Sequence, residues 1–248
     1  MYIPGLVSVT FRQLTPRQIL DVCNRAGLTA IEWGGDVHVP PSDEKNARQV
    51  ARMSADAGVK ICSYGSYYRA GQPLPELEKC LDAANALGTP VIRIWAGQKG
   101  SREFSDDERK YMTEQLHQAN ALAKSRNVTL ATEFHPNTLT DDLESIRALR
   151  EELPELHMYW QPRWDWADNE RLQGLALVGD ILTHMHIFTW RYEKGKNIPL
   201  PLVRGEAFWK KVFAQPRENC HALFEFVENN DPEALVRDAA ALHRWLSE

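Results

Sequence analysis

Eight short apolar runs alternate with longer stretches of helical period along the whole chain, and this alternation restricts the fold more than any other feature. Such a series is typical of βα units arranged around a parallel sheet. The predicted strands cover residues 6–11, 29–33, 59–64, 91–95, 128–135, 156–161, 181–188 and 221–227. An open doubly wound sheet is the rival fold, but it normally carries a glycine-rich phosphate turn after its first strand, and none is present.

Helix start signals follow the predicted strands. Thr15 and Ser105 each begin a capping box, while Ser42 and Thr140 are predicted to cap the second and fifth helices. Eight units with no leftover segment favour closure into a barrel. The sequence therefore predicts a single (β/α)8 barrel domain over residues 1–248.

Charge and composition restrict the possible partners. The chain has 248 residues, of which 43% are hydrophobic, and 29 Lys and Arg against 34 Asp and Glu give a formal charge of −5. This balance, without a basic stripe, disfavours nucleic acid as a partner. No run of about 18 apolar residues indicates a membrane span, so we expect a cytoplasmic protein. The four cysteines are scattered, which favours reduced core residues over a disulfide framework.

Four consecutive predicted strands carry a polar side chain at or near their carboxyl ends, where active sites of such barrels lie. These residues are Glu133, Gln161, His186 and Glu225. Two carboxylates that converge at one mouth would repel each other unless a cation or a shared proton lay between them. Oxygen ligands with one imidazole suit a divalent metal ion; Mn²⁺ is expected, with Mg²⁺, Co²⁺ or Zn²⁺ as alternatives.

The chain resembles the xylose isomerase-like TIM barrel superfamily of sugar isomerases and epimerases. The resemblance is carried by residues 30–33, 130–135, 184–186 and 223–225, and by the proline and glycine stretch at 199–206. It implies that Glu133, Gln161, His186 and Glu225 hold the metal. Gln161 stands where that family usually has Asp, with Asp165 as a substitute ligand if the strand register differs.

The resemblance also implies an isomerase that acts on a sugar or sugar phosphate. Glu133 and Glu225 would exchange protons with the substrate through a cis-enediolate, and His184 would fill the barrel behind His186. The loop 189–205 is expected to act as a lid. The residues expected to contact the substrate are Arg191, His135, Trp95, His38 and Trp33.

Other functions remain open at this point. An inosose-type dehydratase of the same superfamily would use the same metal and proton removal but would expel a hydroxyl. A non-catalytic sugar-binding barrel is a further alternative, since Gln161 replaces a carboxylate. The abasic-site endonuclease branch is disfavoured by the charge of the chain. The sequence does not indicate the oligomeric state; dimers and tetramers are common among the proteins that it resembles, so a homo-oligomer stays open.

Overall fold

Eight parallel strands close into a barrel in a computed structural model that describes residues 2–248. The barrel strands are β1 (Ile3–Val7), β2 (Ala30–Gly34), β3 (Lys60–Arg69), β4 (Val91–Trp95), β5 (Thr129–Glu133), β6 (His157–Trp160), β7 (Leu182–Ile187) and β10 (His221–Phe224). The helices are α1 (Pro16–Arg25), α2 (Glu44–Asp56), α3 (Leu74–Leu87), α4 (Asp106–Ser125), α5 (Leu143–Glu152), α6 (Asp168–Leu177), α7 (Glu206–Phe213) and α8 (Pro232–Ser247). β1 pairs with both β2 and β10, which confirms the predicted closed barrel and excludes the open sheet.

The helix starts show how local sequence sets the element boundaries. Thr15 and Ser105 form the predicted capping boxes, in which each hydroxyl accepts a hydrogen bond from the backbone three residues later. The predicted cap at Ser42 is wrong by one residue, because Asp43 accepts the bond from the backbone of Asn46. A carboxylate near the positive end of a helix also gains from the helix dipole.

The cap of α5 differs from the prediction for a reason that bears on the site. Asp142 caps this helix through the backbone N–H groups of Glu144 and Ser145. Thr140, the predicted cap, instead donates its hydroxyl hydrogen to the carbonyl of Glu133 at 2.5 Å. Thr140 therefore fixes the end of β5 rather than the start of the helix.

Side chains of the barrel strands alternate between an inner and an outer core, as the period of a strand requires. Ala131 belongs to the inner cluster, whereas Leu130 packs in the outer core beneath the helices. On β2, Ala30 points inward and Ile31 points outward. This parity decides which strand residues can reach the interior.

An antiparallel hairpin follows β7, where the sequence predicts a loop. It consists of β8 (Thr189–Glu193) and β9 (Lys196–Leu200), which pair with each other and not with the barrel. Gly195 at its tip has a φ of 78°, which a glycine adopts without steric cost. Within residues 2–248, no helix combines the length and the apolar character needed to cross a membrane.

Candidate metal centre and active site

Three strands bring two carboxylates and an imidazole together at the carboxyl end of the barrel. Glu133 is the last residue of β5, His186 lies near the end of β7, and Glu225 directly follows β10. His186 Nδ1 lies 2.9 Å from Glu133 Oε1 and 3.5 Å from Glu225 Oε2. All three side chains are buried. The structure therefore places three of the four predicted ligands in one group.

The backbone turn after β10 directs Glu225 into the barrel. Phe226 has a φ of 58°, a left-handed conformation that is uncommon for a bulky residue. Thr10 holds this turn: its hydroxyl donates to the carbonyl of Phe224 and accepts from the N–H of Phe226. Strained backbone that surrounding contacts maintain is frequent at functional sites.

Arg93 on β4 connects the group to a third buried carboxylate. Its Nε donates to Glu32 at 3.0 Å and its Nη1 donates to Glu133 at 2.5 Å. The indole of Trp95 donates to the same oxygen of Glu133 at 2.6 Å, and Ser63 donates to Glu32. Arg93 therefore neutralises part of the charge that two buried carboxylates would otherwise concentrate in the interior.

The pKa values of these groups follow from burial and from their neighbours. Burial alone would raise the pKa of Glu133, but Arg93 and His186 outweigh it and lower the pKa to about 2. Burial also opposes the charged form of His186, yet Glu225 and Glu133 raise its pKa well above the usual range. Arg93 lowers the pKa of Glu32 in the same way. Glu133 and Glu32 are thus ionised near neutral pH.

Gly65 on β3 leaves the space that the buried ion pair occupies. A Cβ atom at this position would lie 2.5 Å from Glu32 Oε1 and 2.9 Å from Arg93 Nη2. Real Cβ atoms do not approach other atoms this closely, so a side chain at position 65 would displace the pair. Glycine at this position is therefore a geometric requirement of the site.

The donor set fits a divalent cation. The two nitrogens of His186 are buried and neither makes an aligned hydrogen bond within residues 2–248, although carboxylates stand close to both. The carboxyl groups of Glu32, Glu133 and Glu225 surround the His186 imidazole against the single guanidinium of Arg93, and this imbalance favours a cation among them. Donor atoms 2.9 and 3.5 Å apart can share one ion with bonds of about 2.1 Å. Glu133, His186 and Glu225 are therefore the residues that would hold it.

Gln161 and Asp165 are not part of the group that Glu133, His186 and Glu225 form. Gln161 follows β6 and lines the cavity above the group, but its Nε2 donates to the carbonyl of Phe134 at 2.6 Å. Its carbonyl oxygen is the part of the side chain that can act as a ligand. Asp165 accepts two bonds from Arg163 and is not part of the group, so it does not replace Gln161.

A cavity of about 270 Å³ opens above this group. Trp95 and His135, two of the residues expected to contact the substrate, line it. Their rings lie 5.0 Å apart, and His135 Nδ1 is 2.7 Å from the carbonyl of Pro136. Burial lowers the pKa of His135, so its imidazole is neutral at neutral pH. With the proton on Nδ1, Nε2 is an acceptor.

Three other predicted contact residues lie outside the cavity. Trp33 is next to Glu32 on β2 and therefore points outward, where its indole donates to Ser54 on α2. His38 is buried, with its ring nitrogens 3.0 Å from Ser8 Oγ and 3.2 Å from the carbonyl of Leu14. Trp33 and His38 are therefore not placed to contact the substrate, Trp33 because it points away from the barrel interior and His38 because its ring nitrogens already have partners in the protein.

The expectation for Arg191 is also corrected. The loop that was predicted to carry it into the site is the β8–β9 hairpin, and Arg191 lies on its exposed face. There its guanidinium pairs with Glu193 at 2.9 Å, and the side chain is 60% exposed. The hairpin contributes Trp190 and Asn197 to the cavity instead.

A second group of potential ligands lies deeper in the barrel. Cys62, His184 and His221 bring donor atoms within 4.8 Å of one another, and all three are buried. His184 and His221 contact each other through their Nδ1 atoms at 3.2 Å, which fits a proton shared between two neutral rings. Burial keeps the Cys62 thiol protonated by raising its pKa. This arrangement agrees with the predicted barrel-filling role of His184.

Sequence reasoning missed Arg93, which the structure places between two carboxylates. The available signal was a charged residue in the middle of the otherwise apolar strand Val91–Trp95. It also missed Arg163, which lines the cavity from the loop after β6. No pattern distinguishes that arginine from a solvent-exposed loop charge before the fold is known.

Comparison with known proteins gives the following relatives. The family model described as xylose isomerase-like TIM barrel matches residues 20–244. A 3-dehydroshikimate dehydratase from Bacillus anthracis is 40% identical over an alignment that covers 67% of each chain. The crystal structure of the probable 3-DHS dehydratase AsbF, involved in petrobactin synthesis in the same organism, superimposes with a TM-score of 0.82. That superposition gives 20% identity and covers 98% of this chain and 99% of the other.

Two more distant structures share the fold and hold metal ions. A xylose isomerase-like TIM barrel protein from Mycobacterium smegmatis, in complex with magnesium, has a TM-score of 0.70 at 11% identity and covers 100% of this chain and 97% of its own. The IOLI protein with a bound zinc atom has a TM-score of 0.74 at 13% identity, with coverage of 100% and 98%.

These comparisons correct one prediction and establish another. The 40% identical relative is a dehydratase, which is a lyase, so the prediction of an isomerase or epimerase is wrong. This relative favours the alternative of a dehydratase within the same superfamily over the isomerase. The superfamily itself was predicted from residues at the strand ends, and the family model matches most of the sequence. The chain belongs to the xylose isomerase-like TIM barrel family.

Proposed function

We propose that the protein is a metal-dependent dehydratase that removes water from 3-dehydroshikimate or a closely related cyclic hydroxy ketone. The observation that carries the proposal is the convergence of Glu133, His186 and Glu225 at the floor of the cavity. Such a centre suits the removal of a proton beside a carbonyl. The 40% identity to a 3-dehydroshikimate dehydratase supports dehydration as the reaction that follows.

The structure of 3-dehydroshikimate determines which bonds must break in the dehydration. 3-Dehydroshikimate carries a ketone, a hydroxylated carbon beside it and a second hydroxyl one carbon further along the ring. Loss of the proton from the first carbon and of the hydroxyl from the second forms a double bond and releases water. Tautomerisation of the ring then gives a dihydroxybenzoate. A bound divalent ion would act as a Lewis acid that stabilises negative charge on the ketone oxygen.

The two glutamates are held differently, which supports different roles. Glu133 Oε2 accepts hydrogen bonds from Arg93 and Trp95, so this carboxylate is fixed and ionised and serves as a ligand. The Glu225 carboxylate accepts no hydrogen bond from a side chain within residues 2–248, and it lies at the cavity wall. Glu225 is therefore the group that takes the proton from carbon. It passes that proton to the departing hydroxyl, which leaves as water.

Other cavity residues would orient the ring. His135 offers an acceptor nitrogen to a substrate hydroxyl, because its Nδ1 is engaged with the Pro136 carbonyl. Trp95 is held in place by its bond to Glu133 and by Arg69, whose guanidinium lies 4.2 Å from the indole centroid. An aromatic wall of this kind suits the flat face of an unsaturated ring.

The experiment is a turnover assay with the purified protein loaded with Mn²⁺. We expect 3-dehydroshikimate to lose one water, followed by the near-ultraviolet absorbance of the dihydroxybenzoate and by mass spectrometry. Shikimate is the control substrate, since it has an alcohol in place of the ketone and its ring proton is not acidified. A chelator should abolish turnover, and Mn²⁺ should restore it. Stoichiometric metal without any water loss would contradict the proposal and favour a non-catalytic barrel.

A further inference from the structure

Arg163 places a buried hydrogen-bond donor in the wall of the cavity. The residue lies two positions after Gln161, lines the cavity and is 8% exposed. Its Nε and Nη2 donate to the two oxygens of Asp165 at 3.0 and 2.6 Å. Its Nη1 is shielded from solvent and makes no hydrogen bond within the described part of the chain. A buried charged donor of this kind is costly unless something bonds to it.

The other arginines of the cavity are already engaged. Arg12 bonds through all three nitrogens, to Asp36, to the carbonyl of Val9 and to the hydroxyl of Tyr67. Arg93 is held between two carboxylates below the cavity. Arg163 thus differs from Arg12 in having a nitrogen for which residues 2–248 supply no acceptor.

The position of Arg163 is fixed before any ligand arrives. The fork formed with Asp165 sets the plane of the guanidinium, because two parallel bonds allow little rotation. The ring of Trp166 lies 5.7 Å from the guanidinium carbon and packs on the same side chain. A donor that is held in this way loses little conformational freedom when a ligand binds.

We propose that Arg163 Nη1 binds the carboxylate of the substrate, so that the site selects cyclic hydroxy ketone acids over neutral sugars and neutral cyclic polyols. The ring chemistry in this statement rests on the proposed dehydratase function; the recognition of a carboxylate rests on Arg163 alone. A neutral ligand of the same size leaves Nη1, which is shielded from solvent, without an acceptor. A site built to bond a charged group discriminates strongly against ligands that lack it.

The test compares two ligands that differ only in the carboxylate. Binding of 3,4-dihydroxybenzoate and of catechol to the Mn²⁺-loaded protein is measured by calorimetry for wild type, Arg163→Met and Arg12→Met. We expect wild type to bind the dihydroxybenzoate about 10 to 100 times more tightly than catechol, the ratio that a charge-assisted hydrogen bond provides. In Arg163→Met this ratio should fall to about 3 or less, with the affinity for catechol unchanged. In Arg12→Met the ratio should persist.

The affinity for catechol is the control for misfolding of the variants, because only a folded and metal-loaded site can retain it. Arg163→Lys is the second variant, since it keeps the charge and should keep part of the ratio. A wild-type ratio near one, an unchanged ratio in Arg163→Met, or loss of the ratio in Arg12→Met would each overturn the inference.

Turnover distinguishes the two proposals. If 3-dehydroshikimate is dehydrated, Arg163→Met should raise KM by about 10-fold or more and change kcat by less than about 3-fold, as loss of uniform binding requires. If wild type does not dehydrate 3-dehydroshikimate while the binding ratio still depends on Arg163, the dehydratase proposal fails and the carboxylate site stands. If turnover is observed and the binding ratio does not depend on Arg163, the dehydratase proposal stands and the carboxylate site fails.

Discussion

Two histidines on one strand belong to different groups, one of which is charged and the other uncharged. His184 and His186 both point into the barrel from β7, two residues apart. His186 lies among carboxylates at the floor of the cavity, whereas His184 lies between Cys62 and His221 in the layer below. Both groups are buried and both bring three donor atoms close together. Burial and the number of donor atoms are thus the same in the two groups, and the difference between a metal site and a packed core must lie elsewhere.

The neighbours of each imidazole make the difference. Around His186 the carboxylates raise its pKa and leave an excess of negative charge. In the lower group burial dominates: it raises the pKa of Cys62, and with the influence of His184 and Lys60 it lowers the pKa of His221 to about 3. The lower group is uncharged and fills space. Charge imbalance next to a cavity, rather than the presence of imidazoles, marks the functional site.

The largest expected effect comes from the upper group. Glu225→Gln should lower turnover by about 10² to 10⁴-fold, the usual contribution of a general base, and should weaken metal retention. Cys62→Ser in the lower group should leave both unchanged, because the Cys62 thiol is not ionised. Steady-state kinetics and elemental mass spectrometry of both variants measure this difference. A comparable loss in the cysteine variant would show that the two groups act together.

Removal of Arg93 should give the largest change in stability. Arg93→Met leaves Glu32 and Glu133 buried without their cation, and breaking a buried ion pair in this way costs about 3–5 kcal/mol. Chemical denaturation of the metal-free protein measures the loss. Adding Glu32→Gln to this variant should recover part of it, since one uncompensated charge is then gone. No recovery would mean that the packing of Arg93, and not its charge, stabilises the barrel.

Acid should affect the lower group through His221. Its pKa is depressed in the folded protein, so the unfolded chain binds the proton more readily and stability falls as the pH drops from about 6.5 towards 3. This group accounts for no more than ~4 kcal/mol of that loss. In His221→Gln the stability curve should be flatter than that of wild type over this range. Identical curves from urea denaturation at several pH values would contradict the neutral assignment.

The smallest effect concerns the contact between the cavity rim and the hairpin. Trp164 stacks on Tyr192 of β8 with ring centroids 4.2 Å apart, and both side chains are largely exposed. Trp164→Ala should reduce stability by about 0.5–1.5 kcal/mol, the usual worth of an aromatic pair. Tyr192→Ala is the matched control, and the double variant should cost less than the sum of the two single ones. Additive losses in thermal denaturation would show that the rings do not stabilise each other.

Local sequence rules predicted the barrel well because they act at short range. The alternation of strands and helices and the capping boxes at Thr15 and Ser105 are visible in a few neighbouring residues. Contacts between distant strands were not visible in this way. Arg93 acquires its role from Glu32, 61 positions away, and the hairpin that turns Arg191 outward was read as an irregular loop.

Trp33 shows a different kind of error. Trp33 was expected to contact the substrate, but adjacent residues of a strand point to opposite faces. The structure places Glu32 inside the barrel and Trp33 outside it. The alternation of side chains along β2 therefore removes Trp33 from the substrate contacts.

The hydrogen bond from Gln161 to the Phe134 carbonyl limits which residues position 161 can accept. Aspartate, which the family resemblance implies for this position, has no hydrogen to donate when it is ionised. A single change of Gln161 to Asp would leave that carbonyl, adjacent to Glu133, without its donor and would add a further negative charge to the floor of the cavity. The amide at position 161 therefore serves the backbone at the end of β5 as well as the cavity, and Gln161→Asp is expected to disturb both at once.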